Sequence, residues 1–430
     1  MSEPGLTRVA ADATLARLTG AVLFLTLALG LVVPDALDVG VAALVLLALI
    51  WLPKPDGWRR HDLHRLEWLF LGSVVLFVAA WLLAWALHGM PSGGTSTAQR
   101  IPKLLAAVPL YLFMRRVDGL ETAWWNGLVA GAFIASGYAL WFNLTGQVGD
   151  YGGRATGPTN PIYFGGFSMA FALVLIPRLA DERQSNLART LTAAAIILAF
   201  VANALSGSRG AWLAIPALLA VYLFTAGAGQ PIRWRLGVPL VVLAVSLLVL
   251  LNPILPMSER LDETLADLSV IASGENGNGG IGLRVQLWEI AGGLIQAEPL
   301  TGTGPGSYTI ALMESVQSGA YDDAMLRYDH PHNQYLSALI EGGIGLLAIL
   351  ILLLASPILL VSPLSRRYSR QCRYLAWSAL ASGVVIAVLA LSESLFERND
   401  GVVWFVFLAA TTTALAAGSS QSRDDGQAIQ

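Results

Sequence analysis

The chain has 430 residues, of which 55% are hydrophobic and only 13% charged, and its mean hydropathy is +0.62. Soluble domains carry about 25% charged residues, so composition excludes an ordinary soluble protein and points to an integral membrane one. The net charge of −3 identifies no partner, nucleic acid included, while the single cysteine, Cys372, excludes an intramolecular disulfide and a thiolate metal cluster.

A helix needs roughly 20 apolar residues to cross the hydrocarbon of a bilayer. In chain order, twelve predicted spans centre on residues 18–34, 36–52, 68–88, 101–114, 124–144, 161–179, 190–206, 210–227, 236–254, 335–361, 375–392 and 402–418. The fourth is short and carries Pro102 and Pro109. No clean strand alternation occurs, which argues against a β-barrel. The predicted fold class is therefore all-α, a polytopic membrane protein with about 12 transmembrane helices. Arg8 and Arg17 flank the first apolar run, but no small-residue cleavage site follows, so it reads as a retained span. Residues 1–254 then hold spans one to nine, 255–334 one large polar loop with short helices, 335–418 spans ten to twelve, and 419–430 a polar tail without a fold.

Cytoplasmic loops are enriched in Lys and Arg. Twelve spans put 18 of the 26 basic residues on one side, including Lys54, Arg59, Arg60, Arg233, Arg235, Arg366 and Arg367. Both termini are expected in the cytoplasm and the long loop outside, which is the periplasm in a two-membrane bacterium. On the sparse outer side, Arg154, Arg209 and Arg284 stand alone at membrane boundaries, the first two beside glycines. Isolated cations at that depth usually have a partner. Guanidinium forks with exposed backbone N–H groups suit an anionic ligand such as a diphosphate.

Within the polar loop, Leu261, Leu265, Leu268 and Ile271 recur at helical spacing, so 258–271 is a predicted amphipathic helix. Gly274–Gly280 is a flexible break, and 284–296 a second predicted helix. Gly302, Gly304 and Gly306 alternate in a turn that lacks the strand and the Lys-Ser/Thr of a nucleotide loop. The loop ends in Asp329-His330-Pro331-His332-Asn333, immediately before a membrane span. Two histidines around a proline are not a zinc signature. A neutral imidazole beside a substrate hydroxyl suits general base work near neutral pH.

These elements resemble the O-antigen ligase and polymerase superfamily of bacterial inner-membrane glycosyltransferases. The resemblance rests on Glu298-Pro299-Leu300, on Gly302-Thr303-Gly304-Pro305-Gly306-Ser307-Tyr308, on His332-Asn333-Gln334-Tyr335-Leu336 and on Glu341-Gly342-Gly343-Ile344-Gly345. Ser208-Arg209-Gly210-Ala211-Trp212-Leu213 is similar to the family's Arg-x-x-x-Leu element. The resemblance implies a lipid-linked donor, undecaprenyl diphosphate carrying O-antigen glycan, and transfer with no cofactor and no metal. It implies His332 as the catalytic base, Arg209 and Arg284 as catalytic donor-diphosphate ligands, Arg154 as a further ligand, and His330, Asn333 and Tyr308 as supporting residues. Within the family, a ligase passing the glycan to lipid A–core fits the large loop best. A polymerase and a protein O-oligosaccharyltransferase are the alternatives, and a membrane transporter is the alternative of a different class.

Overall fold

The computed structural model describes residues 4–52, 63–148, 151, 153–181, 183–224, 231–250, 256–273, 280–361 and 370–427. Lys54, Arg59, Arg60, Arg366, Arg367, the Gly274–Gly279 break and the side chain of Cys372 lie outside the described residues. Among those described there is no strand. The helices are α1 (Pro4–Leu29), α2 (Ala36–Trp51), α3 (Arg65–Leu87), α4 (Thr95–Arg100), α5 (Ala107–Met114), α6 (Glu121–Leu144), α7 (Pro161–Leu175) and α8 (Asn186–Ser206). They continue as α9 (Ala214–Phe224), α10 (Ile232–Leu250), α11 (Pro256–Ala272), α12 (Gly280–Ala297), α13 (Ser307–Gln317), α14 (Gln334–Val361), α15 (Arg370–Leu389) and α16 (Asn399–Gln427).

Six helical stretches are long and apolar enough to cross a membrane: Arg65–Leu87, Glu121–Leu144, Pro161–Ala180, Asn186–Ser206, Gln334–Val361 and Asn399–Gly418. Five shorter apolar helices fall on expected spans, at Ala13–Leu29, Ala36–Trp51, Gly210–Leu219, Arg235–Leu248 and Arg373–Leu389. The expected fourth span is not one helix. A 3-10 segment, Ile101–Ala106, precedes the two-turn α5, because Pro102 and Pro109 remove the amide hydrogens a continuous ladder requires. Nor does order stop at the last span, since α16 runs on to Gln427 through most of the expected tail.

The bundle is centred on α7 and α16, whose membrane-length stretches are the most buried. Phe167 of α7 stacks on Trp404 of α16 with centroids 4.5 Å apart, and Trp377 of α15 donates to the Leu173 carbonyl of α7 at 3.0 Å. Between apolar side chains in lipid, such packing and hydrogen bonding, rather than water exclusion, hold helices together. Around this centre α1 lies on α6, α3 on α14, α7 on α8 and α15 on α16. The start of α7 is set locally. Pro161 occupies its first turn, and the Asn160 side chain accepts from the amides of Ile162 and Tyr163 at 2.8 and 3.0 Å.

The polar loop is helical where described. The predicted helix over 258–271 is α11, and the one over 284–296 begins a turn earlier, at Gly280, where Asp267 of α11 accepts from the Ile281 amide at 3.0 Å. Helix α13 was not expected from the pattern. It closes a small second core in which Leu287, Ile290, Tyr308, Leu312, Met325 and Ile340 are buried together. The glycine turn spends its amides on α14: Thr303 and Gly304 donate to the Ile340 carbonyl at 2.8 and 3.1 Å. Helix α14 breaks there, at Gly342 and Gly343. A side chain on Gly343, at φ 64°, would strike the Leu300 carbonyl. The turn is a docking device for the external helices.

Candidate active site

The residues that end the polar loop are fixed from three directions. The Asn333 side chain accepts from the amides of Tyr335 and Leu336 at 3.0 and 3.1 Å, which starts α14. Its own amide donates to Ser394 Oγ at 3.1 Å, and Trp288 of α12 donates to the Pro331 carbonyl at 2.9 Å. Between these anchors His332 takes a left-handed backbone, φ 50°. Non-glycine residues persist there only when their surroundings impose it, and such positions cluster at functional sites.

What imposes it is Glu393, in the connection between α15 and α16, with a side chain only 1% exposed. One carboxylate oxygen accepts from His330 Nε2 and the other from His332 Nδ1, each at 3.1 Å. His330 Nδ1 is bonded to the Asp329 carboxylate. Both nitrogens of His330 therefore face carboxylates, which only an imidazolium satisfies with two donors. Burial alone would lower its pKa, but the bonds to Asp329 and Glu393 outweigh burial and lift it to about 9. The bond from His330 holds Asp329 down at about 2. Burial would raise Glu393, yet the two imidazoles hold it well below the usual carboxylate range.

His332 is arranged differently. Its Nδ1 donates to Glu393, while Nε2 has no hydrogen-bond partner among the described residues, and the side chain is 14% exposed. Tyr328 meets the ring edge-on at 5.4 Å and the His330 ring lies 4.4 Å away. A carboxylate on Nδ1 fixes the tautomer that leaves the Nε2 lone pair for a proton. The arrangement is that of a buried acid orienting a base.

Of the three arginines, Arg284 bonds the backbone next to this cluster. Arg284 of α12 donates to the Ser392 carbonyl at 3.2 Å, one residue before Glu393. Burial lowers its pKa and the neighbouring Glu393 charge opposes that. Ser392 also touches Gly210, where a β-carbon would collide with its hydroxyl. That contact brings Arg209 alongside, its guanidinium bonded to Thr264 of α11 and close to Gly280 at the start of α12. Arg154 donates from Nε to the Ser206 carbonyl at 2.7 Å, at the end of α8 and three residues before Arg209.

The other residues singled out in the sequence are engaged structurally. Tyr308 donates to the Leu287 carbonyl at 3.1 Å inside the second core, and Asn333 caps α14. The sequence pattern alone did not single out Glu393. The available signal was an acidic residue within Leu391-Ser392-Glu393-Ser394-Leu395-Phe396, all but the first of which are buried. A carboxylate in such a setting is costly without a partner. His330, His332 and Glu393 also present three donor atoms within 4.8 Å of one another, a set able to hold a cation in place of the hydrogen bonds.

Comparison with known proteins bears on what this cluster does. Residues 194–351 match the family model described as O-antigen ligase. Over that segment, which is less than half of the chain, the protein is similar to the O-antigen ligase family. The matched segment holds Arg209, Arg284, His330, His332 and Glu341, whereas Arg154 and Glu393 lie outside it. An uncharacterized protein of Haemophilus influenzae is 25% identical over 213 residues, 49% of this chain. The match spans 53% of that protein, about half its length.

Proposed function

We propose that the protein is an O-antigen ligase that transfers glycan from undecaprenyl diphosphate to lipid A–core at the outer face of the bacterial inner membrane. It crosses the membrane about twelve times, with both termini cytoplasmic and residues 255–334 forming a periplasmic domain. The observation that carries the reading is the pairing of His332 Nδ1 with buried Glu393, beside Arg284. An acceptor hydroxyl gives its proton to His332 Nε2 as its oxygen attacks the anomeric carbon of the donor. Undecaprenyl diphosphate leaves with the bonding electrons, and direct displacement inverts that carbon. Glu393 stabilises the imidazolium as it forms. Arg209 and Arg284, with Arg154, meet the charge growing on the diphosphate, a role typically worth about 3–4 kcal/mol per positioned donor.

Burial of the acid, a positively charged His330 and cations on one side supports glycosyl transfer over transport, where ionisable groups line a path near the bilayer midplane. Ligase and polymerase differ in what accumulates when the gene is deleted. Loss of a ligase leaves long O-antigen polymer on undecaprenyl diphosphate, and only single lipid-linked repeat units would mean a polymerase.

A further inference from the structure

One face of α14 carries Gln334, Ser337 and Glu341, spaced three and four residues apart so that they share a side of the helix. All three are buried, and all three reach the connection that carries Glu393. Gln334 accepts from the Phe396 amide at 2.7 Å, and the hydroxyls of Ser337 and Ser394 lie 2.9 Å apart. The third contact brings the carboxyl groups of Glu341 and Glu397 together on the wall of one small cavity, within hydrogen-bonding reach of each other. Glu341 accepts a second bond from Trp81 Nε1 of α3 at 2.8 Å. Glu397 accepts one from Thr97 of α4, and its carbonyl accepts from Arg100.

Two carboxylates are acceptors only, so a hydrogen bond between them requires one proton held in common. The other donors to this pair, Trp81 and Thr97, are neutral, and Arg100 is bonded to the Glu397 backbone rather than its carboxylate. The pair lines a small cavity of about 60 Å³ that Thr97, Asp329, His330 and Ser337 also line. Glutamate 341 opens the Glu-Gly-Gly-x-Gly element and touches no part of the proposed proton transfer.

We infer that Glu341 and Glu397 are positioning residues, joined by one shared proton, that hold the 392–398 connection against α14 and thereby fix Glu393 beneath the two histidines. The inference rests on the proposed role of His332 and Glu393 for its kinetic consequence, though not for the shared proton. A glutamine at either position keeps the brace: its carbonyl accepts from Trp81 or Thr97, and its NH2 donates to the remaining carboxylate, which no longer needs the proton. Alanine leaves one carboxyl group without its partner and releases the connection.

The test uses the full-length protein in nanodiscs with lipid-linked donor and lipid A–core. Glu341→Gln and Glu397→Gln should keep kcat within about threefold, whereas Glu341→Ala should lose kcat by roughly a hundredfold, the scale of misplacing a reacting group by about 1 Å. The donor KM should stay unchanged throughout. Infrared spectra read the proton directly: one deuterium-sensitive carboxylic acid C=O band of the wild type should disappear in each of the two Gln variants. A band that survives in both Gln variants overturns the shared proton, even if Glu341→Ala fails to fold. Full kcat in Glu341→Ala overturns the positioning role. An active His332→Ala would instead remove the proposed function and leave the infrared result standing.

Discussion

His332 Nδ1 and a carboxylate oxygen of Glu393 meet at 3.1 Å across 61 residues of sequence. Glu393 is fully buried and answers two imidazoles, so removing it changes more than one bond. Without it the His332 ring is free to flip, and His330 loses one of its two counter-charges. Glu393→Gln should lower kcat by about 10² to 10⁴, comparable to losing general base assistance, and His332→Ala by at least as much. Both variants should still bind lipid-linked donor. Transfer at the wild-type rate by His332→Ala, with His330→Ala inactive, would assign the base to His330.

The charge on His330 couples stability to pH. Its pKa rises on folding from the ordinary 6.5 to about 9. The stabilisation is therefore complete below the unfolded value and disappears as pH climbs through about 9, a contribution on the order of 3 kcal/mol. Thermal unfolding in detergent should show the wild type losing stability across that interval. His330→Gln should be less stable at neutral pH and nearly flat over the same range. Parallel curves for the two proteins would exclude a charged His330.

Arg209 and Arg284 each bond a protein oxygen through the guanidinium, Thr264 Oγ1 and the Ser392 carbonyl. An ammonium cannot reproduce a planar two-point grip on phosphate oxygens. Arg209→Lys and Arg284→Lys should therefore lose most transfer, close to the Ala variants, with weaker binding of undecaprenyl diphosphate by calorimetry. Wild-type rates in both Lys variants would reduce the role to net positive charge.

His330, His332 and Glu393 could alternatively share a cation, since their donor atoms lie within 4.8 Å of one another. The hydrogen-bonded reading expects purified protein to turn over in excess EDTA. Activity abolished by chelator and restored by Mg²⁺, Mn²⁺ or Zn²⁺ would falsify it and make these three residues ligands.

Cysteine labelling tests the orientation. Ser318→Cys, just past α13, should react with an impermeant reagent added from the periplasm, and Arg235→Cys, near the start of α10, only after the membrane is opened. The weak point is the broken helical stretch over 101–114. If Arg116→Cys labels from the periplasm, that stretch does not cross, and the sides of all later loops have to be reassigned.

By itself the sequence determined where nearly all of the apolar helices form. Apolar runs of membrane length need only local information, because a backbone in lipid must satisfy its own hydrogen bonds. Eleven of the twelve expected spans coincide with apolar helices, six of them long enough to cross. Even the failing segment announced itself through Pro102 and Pro109. Asn333 and His332 were legible for the same reason: a cap and the residue before it are neighbours in sequence. The tertiary structure alone decided the partners. Glu393 pairs with His330 and His332, Ser392 with Arg284, and Glu341 with Glu397, at separations of 56 to 108 residues. In sequence a carboxylate near an arginine suggests a surface ion pair, and Glu393 beside Arg398 suggests one. Once helix packing removes water from Glu393, an unpaired charge becomes expensive, and the pairing goes to whichever donors the bundle brings within 3.1 Å.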